Sequence, residues 1–143
     1  MEFNEKRIAY LQMVQGAIDR MSGKSANVKG FVVAIVAGIA AISLKDTKPW
    51  AVVMALLSIL IFLDLDVYYL GMERRYRFLY DQIRLNPEKA VDFDMKPDLK
   101  ESEIKKAGAT FSQCLASVTI RRFYIPITLI GITIIIMSFK GVL

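Results

Sequence analysis

The chain has 143 residues, enough for one ordinary domain. It joins a 55% apolar composition and a mean hydropathy of +0.40 to 23% charged residues, with 19 Lys and Arg against 14 Asp and Glu. No histidine is present and Cys114 is the single cysteine, which excludes histidine metal sites, Ser-His-Asp triads, Cys-His pairs and an intrachain disulfide framework.

A chain this apolar and this charged must keep the two characters apart along its length. Residues 1–25 are expected to form an N-terminal amphipathic helix. Phe3, Tyr10, Leu11, Val14, Ala17, Ile18 and Met21 fall at helical spacing, while Glu5, Lys6, Asp19 and Arg20 lie mostly on other faces. Such a helix packs on the rest of the protein or lies on a membrane surface. Ser22-Gly23-Lys24-Ser25 reads as a break. The stretch before the first apolar run is too long and too helical for a cleaved leader, so that run is expected to be a retained span.

Residues 26–85 predict a transmembrane hairpin that continues into a cytoplasmic stalk. Gly30 to Leu44 carries no charge, and extending it back to Ala26 gives the roughly twenty residues that cross a bilayer, with Lys29 snorkelling to the headgroups. Lys45 to Lys48 form a polar turn, Pro49 opens the next helix, and Trp50 stands where an interfacial anchor belongs. The second apolar run, Ala51 to Leu63, ends at Asp64 and Asp66. Helical character persists beyond it through the i,i+4 pairs Glu73–Arg77 and Arg77–Asp81, predicting one helix from about Trp50 to Leu85.

Asn86-Pro87 ends that helix, and 86–100 reads as a cytoplasmic loop. Asp92, Asp94 and Asp98 lack calcium-loop spacing and suit a solvated loop. Residues 101–143 predict a cytoplasmic helix, with Ile104, Phe111, Leu115 and Val118 at helical spacing and Cys114 in its core, leading into a third span from Phe123 to Phe139. Pro126 lies at the entry of that span, where a kink or a helix start is tolerable. The fold class is thus an all-α integral membrane protein with three transmembrane helices, long cytoplasmic helical extensions and an N-terminal amphipathic helix. Lys and Arg number five in 1–29, two in 45–49, eleven in 64–122 and one in the tail. The positive-inside rule then puts the N-terminus and 64–122 in the cytoplasm and the C-terminus outside.

Four sets of residues stand out as candidate sites. Carboxylates at the end of a span are costly and usually paired. Hairpin geometry brings Lys29 to the depth of Asp64 and Asp66, either as a structural ion pair with one of them or as an ion or proton site. Gly30, Ala34 and Gly38, with Ala37 and Ala41 beside them, allow close helix approach, either within the hairpin or between copies of the chain. Arg74, Arg75, Arg77, Arg84, Arg121 and Arg122 suit anionic lipid headgroups. They could also hold a cytoplasmic protein partner or a nucleotide signal, although no glycine-rich phosphate loop accompanies them. No cofactor, metal or specific nucleic acid is expected, and no nucleophile–base pair points to an enzyme.

Two stretches carry a resemblance. Arg20-Met21-Ser22 followed by Val28-Lys29-Gly30, and Tyr68-Tyr69-Leu70-Gly71-Met72-Glu73-Arg74-Arg75-Tyr76-Arg77-Phe78-Leu79-Tyr80, resemble a widespread group of small bacterial membrane proteins. The layout of helix, hairpin and cytoplasmic helix is similar to the two-transmembrane (SLATT-like) effectors of bacterial nucleotide-signalling defence loci. The membrane part of those effectors is held to oligomerise and breach the membrane when a partner senses infection. This chain departs from them in its third span and in showing no sensor domain. The resemblance implies a non-enzymatic, homo-oligomeric inner-membrane protein, a pore-forming or membrane-perturbing effector of antiphage defence. The alternatives are a membrane anchor or scaffold for a cytoplasmic partner, and a small ion channel or transporter that uses Asp64 and Asp66.

Overall fold

The apolar runs and the charge pairs between them do produce helices, arranged around one long hairpin. The computed structural model describes residues 2–43, 49–86 and 92–139. Helix α1 (Glu2–Ser43) packs on α2 (Pro49–Leu85), followed by α3 (Glu101–Lys106), α4 (Phe111–Leu115) and α5 (Val118–Phe139). No strand forms among the described residues. The turn expected at 45–48, the interfacial side chain of Trp50 and the tail from Lys140 lie outside what is described.

Helix α1 does not break at Ser22–Ser25; it runs straight through. Ser22, Gly23 and Ser25 are weak helix formers, each costing up to roughly 1 kcal/mol, but none is proline. Packing outweighs that cost, with Ile18 and Val28 buried on either side of the segment. The pairs Arg7–Ile83, Ser25–Asp66, Lys29–Asp66 and Phe31–Phe62 follow one another in opposite senses along the two helices, which sets an antiparallel register.

Helix α2 is a single element that begins at Pro49, close to the expected limits. Glu73 and Arg77 pair at 2.8 Å, but Asp81 pairs with Arg84 at 3.2 Å rather than with Arg77. At its C-terminus Arg7 reaches from α1 and donates to the carbonyls of Ile83 and Arg84, satisfying acceptors that a helix end leaves open.

The single helix expected over 101–122 is instead three pieces. Gly108 takes φ +66, a left-handed conformation that glycine tolerates. There its amide and that of Ala109 close α3 onto the carbonyls of Lys105 and Ile104, at 3.1 and 2.9 Å. Thr110 then caps α4 by accepting from the Gln113 amide. The stripe of Ile104, Phe111, Leu115 and Val118 is therefore not assembled, and the last three are exposed. Ala109, Cys114, Ile120 and Tyr124 are buried in its place. Pro126 is interior to α5, so of the two expected settings, kink or helix start, it is not at a helix start. Its missing N–H leaves one backbone acceptor near the beginning of the apolar run without a helical partner.

Two cores result. Val32, Ile59, Val67, Cys114, Ile120 and Tyr124 join α1, α2, α4 and α5. Tyr10, Val14, Ile18, Leu79 and Ile83 join the far ends of α1 and α2. The extended segment before α3 straps over this second core. Met95 packs against it, Tyr10 donates to the Asp94 carbonyl, and the Tyr10 and Phe93 rings lie 5.5 Å apart. Among the described residues, two stretches are long and apolar enough to cross a membrane: Val53–Leu85, and Glu101–Thr133, whose apolar run comes from α5.

Candidate functional site

The expected pairing of Lys29 is with Asp66. Asp66 is 0% exposed, and the Lys29 ammonium lies 2.6 Å from its Oδ2. That contact lies off the hydrogen-bonding direction and is an ion pair, whereas the Ser25 hydroxyl donates to Oδ1. Lys29 donates in turn to the Ser25 oxygen at 2.9 Å. Ser25 and Lys29 are one helical turn apart, so both meet Asp66 only because α1 is continuous through the expected break. Tyr124 closes the third side from α5. Its buried phenol donates to the Phe62 carbonyl at 3.3 Å and faces Asp66. Sequence reasoning missed Ser25 and Tyr124; the i,i+4 spacing of Ser25 to Lys29 was the one available signal.

With a hydroxyl donor on Oδ1 and an ammonium against Oδ2, the Asp66 carboxylate is occupied. The triad clamps α1 to α2, and breaking such a pair by removing one partner costs about 3–5 kcal/mol. Asp64, two residues away, points to the other side of the helix and is exposed. The two acids do not share a site.

The small-residue stripe faces away from α2. Gly30, Ala34, Ala37, Gly38 and Ala41 are exposed, and a Cβ added at Gly30 or Gly38 would meet nothing within 4 Å. They do not mediate the α1–α2 contact, which Val28 and Val32 make instead. The stripe is also longer than expected. Ala9, Gly16, Gly23, Gly30 and Ala37 recur every seven residues, with open space beside all three glycines.

The six arginines divide. Arg74 is turned inward, its Nη1 donating to the carbonyls of Gly108 and Gln113, so it fastens the α3–α4 turn to α2 instead of reaching lipid or partner. Arg77 and Arg84 are exposed but paired with Glu73 and Asp81. Arg75 is half-buried, with its Nε enclosed and unbonded. Arg121 and Arg122 are exposed on the first turn of α5 and meet no carboxylate among the described residues. Asp92 and Asp94 accept from the amides of Asp94 and Lys96 and so shape the strap.

No protein-family model, no curated protein and no solved structure matches this chain.

Proposed function

We propose that the chain is a non-enzymatic, homo-oligomeric protein of the bacterial inner membrane. It crosses the bilayer three times, with its N-terminus and residues 64–122 in the cytoplasm and its C-terminus outside, and acts by perturbing the membrane as a defence effector. Large apolar side chains on all three apolar runs support the spans: Phe31 and Val33, Leu60 and Ile61, and Leu129 and Ile130 are all exposed. In water such surface is a liability; in lipid it is solvated. An apolar groove of about 550 Å³, lined in part by Leu63, Leu129 and Arg121, suits an acyl chain with its anionic headgroup on the arginine.

The outward-facing glycine and alanine stripe of α1 carries the functional reading. Open backbone on a lipid-facing helix has no role within the chain, and it allows two copies to approach closely. The partner is a second copy of the chain, and the sequence resemblance supplies the effector role. Replacing Gly30→Leu and Gly38→Leu tests this. The wild-type chain is expected to run as a closed oligomer in nanodiscs and to collapse the membrane potential when induced in bacteria. The double variant should run as a monomer and leave the potential intact. An unchanged oligomer in the variant contradicts the reading.

A further inference from the structure

A second polar site lies beside the ion pair, on the opposite face of α2. Asp64, Tyr68, Gly71 and Arg75 recur at intervals of three and four along one stripe of α2, and Phe111 and Cys114 of α4 close over them. The cleft measures about 180 Å³, below the ~300–1,000 Å³ of pockets that hold drug-sized ligands, so it suits a small molecule. Its ends carry opposite charges. Arg75 has an enclosed Nε with no hydrogen-bond partner, a costly arrangement for a charged group. Asp64 makes no ion pair among the described residues. The two are eleven residues apart, roughly 16 Å of helical rise, so neither is the natural partner of the other. Between them Tyr68 and Phe111 are each 59% exposed and form two aromatic walls at the rim, the Tyr68 ring held edge-on by Tyr69 at 5.6 Å.

We infer that this cleft binds a small zwitterion, its oxyanion on Arg75 and its ammonium between Asp64 and the rings of Tyr68 and Phe111. A cation against aromatic faces and a carboxylate is a recurrent way to hold alkylammonium groups. A guanidinium suits a carboxylate or phosphate at the other end. The same chemistry occurs in free betaines and amino acids and in zwitterionic lipid headgroups. The polarity of the cleft chooses between them. On the three-span topology proposed above, Asp64 is nearer the bilayer than Arg75. A lipid headgroup carries its phosphate nearer the bilayer than its ammonium, which is the reverse order. The occupant is therefore a free cytoplasmic zwitterion.

Calorimetry on the full chain in a non-ionic detergent, with glycine betaine and phosphocholine as probes, tests this. At least one probe is expected to bind, while acetate and tetramethylammonium separately bind at least tenfold more weakly. Asp64→Asn and Arg75→Gln should each weaken binding roughly tenfold or more at unchanged helicity. Arg77→Gln, whose guanidinium lies outside the cleft, should leave it unchanged. Failure of both probes with folded protein overturns the site, as does wild-type affinity in the two variants. Displacement of the bound probe by phosphatidylcholine nanodiscs, against inert anionic ones, overturns the free-zwitterion assignment. Because binding is read in detergent solution, its failure is distinct from a failure of the topology, which labelling in cells reports.

Discussion

The two ends of the α1–α2 hairpin are held by different means. At the end formed by the start of α1 and the close of α2, apolar packing of Tyr10, Val14, Ile18, Leu79 and Ile83 is combined with directed bonds. Arg7 caps α2, Tyr10 ties down the strap, and Arg74 fastens the α3–α4 turn. At the other end the apolar side chains face outward as often as inward, and one buried cluster, Ser25–Lys29–Asp66, supplies the polar registration. A segment in water can rely on hydrophobic burial and add hydrogen bonds for precision. On the proposed topology the second end lies in lipid, where burial gains little, so a single buried charge pair with its hydroxyl sets which faces meet.

Removing one charge from the Ser25–Lys29–Asp66 cluster tests that contrast hardest. Asp66→Ala leaves Lys29, only 18% exposed, without its counterion, and is expected to cost about 3 kcal/mol in denaturant titrations in detergent micelles. Lys29→Met together with Asp66→Leu should recover most of the loss. A single variant as stable as wild type would break the comparison. At the other end, Arg74→Ala should cost about 2 kcal/mol and speed amide exchange at 108–114, with residues 28–36 unaffected. Equal acceleration in both regions would show that the ends are one cooperative unit.

Smaller effects sharpen the picture of the strap. Tyr10→Phe deletes one hydrogen bond and should cost about 1 kcal/mol, read as faster proteolysis within 92–100. Burial first, then Asp92 and Asp94, raise the Tyr10 phenol above its ordinary value of 10.0. The fold thus favours the neutral phenol. Its contribution is present in full below pH 10 and is lost as pH rises through the raised value. Strap proteolysis of the wild type should rise over that alkaline range. The alkaline increase should be smaller in Tyr10→Phe, and an identical pH profile would remove Tyr10 from the account.

Much of the hairpin was legible because its signals are local or one-dimensional. Pro49 and Asn86-Pro87 mark the ends of α2, and counting residues from the polar turn brings Lys29 to the Asp64–Asp66 level. Which acid pairs was not legible, because it depends on helix rotation. The break at Ser22–Ser25 was expected on propensity and overridden by packing on α2. The opposite error occurred at 101–122, where apolar spacing suggested one helix. A glycine at positive φ and a threonine cap, each a single-residue effect, divided it. The inward turn of Arg74 was invisible because neighbouring arginines look alike in sequence, and only the fold distinguishes a carbonyl clamp from a surface charge.

Impermeant maleimide labelling of intact bacteria bears most directly on the central claim, that lipid solvates three runs with the stalk on the inner side. In a Cys114→Ser background, Asp98→Cys should be labelled only after lysis, and Lys140→Cys should be labelled in intact cells. Labelling of Asp98→Cys from outside, or identical behaviour of the two positions, would contradict the account.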